Sequence, residues 1–114
     1  MAQHSDLDRD ELLGRMGGDR DLLREVVDAF LDEAPERIAA LRRAADAGDG
    51  ASVKRTAHSF KGSLAIFASR ATLDAIDAVE RARVADDHAA AHQAITTLEA
   101  AVDRLSADLR ETPP

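Results

Sequence analysis

Residues 53–67 read VKRTAHSFKGSLAIF. Val53, Ala57, Phe60, Leu64 and Phe67 recur at spacings of 4, 3, 4 and 3, the period that gathers apolar side chains on one stripe of an α-helix. The stripe predicts a helix from about residue 51 to 67, and a single-striped helix must bury that stripe against other elements. At about 100° per residue, His58 lies roughly 140° from the centre of the stripe and so faces outward. A histidine between the only two lysines of the chain, Lys54 and Lys61, with a glycine one turn further on, is the feature to explain.

The same period continues on both sides. Ser5 or Asp6 is positioned to cap a short helix that stops at Gly17-Gly18, and Asp19 caps a longer one. Leu22, Leu23, Val26, Val27, Phe30, Leu31, Ala34, Ile38 and Leu41 place its inward face, and it runs from about 19 to 47, bent at Pro35, which lacks a backbone donor. Gly48-Asp49-Gly50 is a turn. Ser69 caps a helix over about 71–84 with Leu73, Ile76, Val79 and Ala82 inward. Asp86 or Asp87 opens the last, with Ala91, Ile95, Leu98, Val102, Leu105 and Leu109 inward. The expected architecture is all-α: an antiparallel four-helix bundle plus a short N-terminal helix. It forms one domain over residues 1–114, with a core of about 6–110 and a frayed 111–114 tail.

Composition agrees. Of 114 residues 45% are hydrophobic, yet there are three Phe and no Trp, Tyr or Cys, a balance that favours packed helices over a β-sandwich. Without cysteine there is no disulfide framework, thiolate metal site or cysteine nucleophile. A net charge of −7 argues against a nucleic-acid partner, whose phosphates call for clustered cations. No apolar run approaches the roughly 18 residues of a membrane span and no basic–apolar leader opens the chain, so a cytoplasmic protein is expected. Met1 and the frayed tail favour an independent protein.

Helix geometry assembles the patch around His58. Ala65 lies at about −20° from it, Lys54 at about −40°, Gly62 at about +40°, Lys61 and Arg55 near −60° and +60°, and Ile66 near +80°. None of these is a carboxylate. One reading is a solvated face. Against it, Gly62 costs about 1 kcal/mol inside a helix relative to alanine, and nothing on a merely solvated face offsets that. Its missing side chain opens space beside the imidazole. Lys54, Arg55 and Lys61 can stabilise a phosphoryl group, which carries close to two negative charges. An accessible imidazole with room and cations around it suits a nucleophile that accepts phosphate.

Ala57-His58-Ser59-Phe60-Lys61-Gly62-Ser63 resembles the AHxLKG signature of histidine-containing phosphotransfer (HPt) domains, with Phe60 in the usual leucine place. Phe30, Pro35, Leu41, Ala44 and Asp49 ahead of it, and the Leu73, Ile76, Val79, Glu80 stretch behind it, extend the resemblance over about residues 7–105. It implies a helical bundle whose His58 takes a phosphoryl group on Nε2 from a response-regulator receiver aspartate or an upstream hybrid histidine kinase. The group then passes to another receiver. Lys61 would balance the phosphoryl charge and Gly62 would leave room for phosphate and partner loops. Glu80 would hold the other imidazole nitrogen. Lys54, Arg55, Ala65, Ile66 and Ala68 would border the partner surface. No cofactor is expected on this chain, the Mg²⁺ of the transfer belonging to the receiver. Phe67-Ala68-Ser69 departs from the small Leu-Gly-Ala step common in the family, and Leu64 and Ile66 are bulkier than usual there.

Three rival readings share some of these features. A docking module that binds receivers without accepting phosphate would share the surface. In the dimerising domain of a histidine kinase an acid usually follows the histidine and a proline lies a few positions on, where this chain has Ser59, Lys61 and Gly62. No glycine-rich nucleotide loop accompanies them. His88 and His92, at i and i+4 with Asp86 and Asp87 nearby, could begin a metal site. His4 belongs to a terminus expected to be mobile.

Overall fold

A computed structural model describes residues 7–67, 69–82 and 86–111. Five helices follow one another: α1 (Arg9–Arg15), α2 (Arg20–Asp46), α3 (Gly50–Ala65), α4 (Arg70–Arg81) and α5 (His88–Glu111). No strand occurs among the described residues. α2 to α5 pack in a ring, each against the next and α5 back against α2, while α1 rests on α2. The all-α four-helix bundle with an extra N-terminal helix is therefore the fold.

Local chemistry sets the boundaries. Asp8, Asp19 and Asp49 each accept a hydrogen bond at 3.0 Å from the backbone amide three residues on, which satisfies a donor at the start of α1, α2 and α3. Ser69 accepts from the Thr72 amide at a longer 3.5 Å at the start of α4, from a fully buried position where Thr72 Oγ1 donates back to its carbonyl at 2.9 Å. Asp87 accepts from the Ala90 amide at the start of α5. Asp8 caps α1, whereas the expected caps Ser5 and Asp6 lie outside the described residues, as do His4, Ala68 and 112–114. Gly17, Gly18 and Gly48 adopt φ of 67°, 78° and 69°, the left-handed conformation that closes a helix end.

Pro35 neither ends α2 nor starts a new helix. α2 continues through it to Asp46, because Ala34, Ile38 and Leu41 on either side are anchored in the core. α3 stops at Ala65, short of the expected 67, yet Phe67 still folds inward and meets Phe30 edge-to-face at 4.9 Å. α4 ends at Arg81 and α5 carries helix through Glu111. The α3 stripe is buried in full, with Phe60 stacked over Phe30 at 6.2 Å. Leu22 departs from expectation: in the first turn of α2 it is exposed, since Leu23 takes the inward direction there.

Candidate functional site

His58 sits in the middle of α3, its side chain 83% exposed. The buried side of the helix is fixed by Ala57 and Phe60, which leaves position 58 no inward option. α4 packs alongside and contributes two carboxylates. On α4, Glu80 lies about 40° and Asp77 about 100° around the axis from the buried Ile76, so both project from the flank that faces α3. Glu80 Oε2 stands 3.5 Å from His58 Nδ1, and Glu80 Oε1 stands 3.5 Å from Lys61 Nζ. Lys61 Nζ makes its short contact elsewhere, at 2.6 Å to Asp77 Oδ1.

These contacts have electrostatic consequences. The hydrogen bond to Asp77, helped by the charges of Asp77 and Glu80, raises the Lys61 ammonium above its ordinary 10.5 against some desolvation. Glu80, the more buried of the two acids, faces Nδ1, an arrangement that favours a proton on Nδ1 and leaves the lone pair of Nε2 directed to solvent. The positive collar expected around His58 is thus mixed. Helix arithmetic on α3 alone saw no acid, because Asp77 and Glu80 arrive from the neighbouring helix.

The other flank of α3 is fastened to α2. Arg37 Nη1 donates to Ser59 Oγ at 3.1 Å, and Ser63 Oγ donates to the Glu33 carboxylate at 3.2 and 3.3 Å. Arg37 Nε and Glu33 close the network at 2.9 Å. Ser59 and Ser63 are one turn apart, as are Glu33 and Arg37, so two antiparallel helices meet rung by rung.

Gly62 is exposed, and a Cβ built on it would meet no atom within 4 Å. Its lack of a side chain therefore serves nothing within the chain itself. Lys54, Ala65 and Ile66 are also exposed, on the side the helix arithmetic gives them. Arg55 turns back instead, donating to Ser52 Oγ at 3.0 Å within the Asp49 cap. The carbonyl of Ile66 accepts from Arg15 Nη1 at 2.8 Å, which ties α1 to the end of α3. Asp77 is the site residue that sequence reasoning missed; its only trace was its place one turn before Glu80.

His88 and His92 lie at the far end of α2. The His88 ring bonds the Ala45 carbonyl, and His92 Nε2 stands 2.9 Å from Asp46 Oδ1. The rings meet edge-to-face. No group of three or more His, Asp or Glu residues placed to hold a metal ion occurs among the described residues. No helix among them is long and apolar enough to cross a membrane.

Comparison with known proteins agrees with this architecture. The model of the Hpt domain family matches residues 25–108. The crystal structure of histidine-containing phosphotransfer protein B (HptB) from Pseudomonas aeruginosa PAO1 superposes with a TM-score of 0.81 at 23% identity, covering 97% of this chain and 95% of that one. Among curated proteins no significant match is found.

Proposed function

The chain belongs to the Hpt domain family, whose members serve histidine phosphotransfer in two-component signalling, and we propose that His58 is the residue that carries the phosphoryl group. The observation that supports this most is an imidazole 83% exposed at mid-helix with Nδ1 facing a carboxylate. Nε2 attacks the phosphorus of a receiver aspartyl phosphate; the Nε2–P bond forms, the P–O bond breaks and the aspartate leaves as carboxylate. Return of the group to a second receiver is the same exchange reversed. Glu80 holds the Nδ1 proton throughout, so the attacking nitrogen keeps its lone pair. Gly62 admits the partner's loops. Lys61 offsets the phosphoryl charge, and positioning with electrostatic stabilisation supplies the acceleration. The receiver holds the Mg²⁺ and docks on α3 and α4 against a monomer of this chain, with Lys54, Ala65 and Ile66 at the edge of contact.

Pure protein incubated with a phosphorylated receiver domain and Mg²⁺ tests the reading. Wild type should take the label in an acid-labile, base-stable form, and His58→Gln should take none while still binding. Binding without labelling of wild type, across several receivers, would leave a docking module and overturn the reading.

A further inference from the structure

Lys61 has two claims on it. The amine that would balance a phosphoryl group on His58 stands 2.6 Å from Asp77 and 3.5 Å from Glu80. Glu80 is already committed on its other oxygen to His58 Nδ1. Asp77 bonds Lys61 at 2.6 Å, closer than Glu80, the acid that faces the imidazole, at 3.5 Å. A lysine ammonium is a compact charge on a flexible stem, so it can leave one anion for another, and any hold that Asp77 keeps on it weakens its hold on a second anion.

We infer that Asp77 is a positioning residue that holds Lys61 in the unphosphorylated protein and competes with the phosphoryl group for it. Resting on the assignment of His58 as acceptor, this makes Asp77 a setting on the transfer equilibrium. A carboxylate that stabilises the empty state more than the loaded one lowers the fraction of phosphoryl groups resident on His58. It thereby favours passing the group on over storing it.

Asp77→Asn removes the charge and keeps the shape. Lys61 should titrate closer to 10.5 in this variant than in wild type, read from its side-chain NMR signals. At equilibrium with a phosphorylated receiver, the ratio of phosphorylated to free protein should rise roughly two- to fivefold, the scale of a half-exposed ion pair. In a Lys61→Gln background the same Asp77→Asn change should leave that ratio unaltered. A rise that persists without Lys61 would mean simple repulsion between Asp77 and phosphate, and would overturn the inference. So would an unchanged ratio in Asp77→Asn.

Phosphoramidate separates this outcome from failure of the functional reading. The small donor transfers its phosphoryl group as its P–N bond breaks and ammonia leaves, with no docking required. If wild type is labelled by phosphoramidate but by no receiver, the relay reading falls, and the lifetime of the phosphohistidine in the four proteins tests Asp77 on its own. It should lengthen in Asp77→Asn only when Lys61 is present. Wild type labelled by neither donor overturns both.

Discussion

Replacing Gly62 separates folding from function in one position. The residue lies inside α3 with helical backbone, and a Cβ there would meet nothing within 4 Å. Gly62→Ala therefore gains helix propensity without a steric penalty, about 0.5–1 kcal/mol. For a chain of 114 residues that corresponds to a rise in Tm of about 2–4 °C. Gly62→Gln gains nearly as much, because glutamine is also a good helix former, but it places a long side chain about 40° around the helix from His58. Thermal unfolding followed by circular dichroism gives the stability. Transfer from a phosphorylated receiver, under conditions where docking is rate-limiting, gives the function. The expected pattern is both variants more stable than wild type, Gly62→Ala slowed modestly and Gly62→Gln slowed at least tenfold. Two results would refute the reasoning: a less stable Gly62→Ala, which would mean the space is not open, or a Gly62→Gln that transfers as fast as wild type. The second would leave the glycine without a purpose.

Phe60→Ala should destabilise the bundle by about 3–5 kcal/mol in urea unfolding, since the ring is fully buried against Phe30; a loss below about 1 kcal/mol would show that the core closes over the gap. Glu80→Gln should shift the neutral His58 ring away from the form protonated on Nδ1, visible in its ¹⁵N chemical shifts, and slow transfer; an unchanged tautomer mixture would remove Glu80 from its role. Asp49 is held below its ordinary 3.8, first by the Ser52 hydroxyl and then by the Ser52 amide. Its capping contribution is thus present above 3.8 and lost as pH falls through the lower folded value, so the Ser52 amide should titrate with a midpoint below 3.8 and not at or above it. Lys61 runs the opposite way: raised from 10.5, chiefly by Asp77, its pairing is intact below that value and is lost only as pH climbs through the higher folded one. The stability difference between wild type and Asp77→Asn should therefore stay constant from pH 8 to 10 and shrink only as pH climbs above 10.5.

The sequence carried the helices and the outward histidine because both depend on period alone. Every residue of the α3 stripe is buried, as are all six named for α5. Where the reading slipped, the reason was tertiary. Leu22 matches the period, but in the first turn of α2 Leu23 alone points into the bundle. Pro35 is no such case: one helix through it is what the apolar period on both sides predicts, and Arg20–Asp46 is one helix. Asp77 and Glu80 reach His58 and Lys61 from α4, and the angle of one helix says nothing about the charge on its neighbour. Glu80 came into view only through the family resemblance, and Asp77 did not.

The rungs between Ser59, Ser63 and the Glu33–Arg37 pair on one flank of α3, set against the α4 contacts on the other, stop this helix from rolling about its long axis. A surface so braced has little freedom left to surrender when another molecule settles on it, and ordering is among the chief costs of association. Encounters can then be brief without being inaccurate: a visitor finds the imidazole already aimed, and no helix has to relax when it departs. Such economy of motion shifts the burden of adaptation onto whatever docks there.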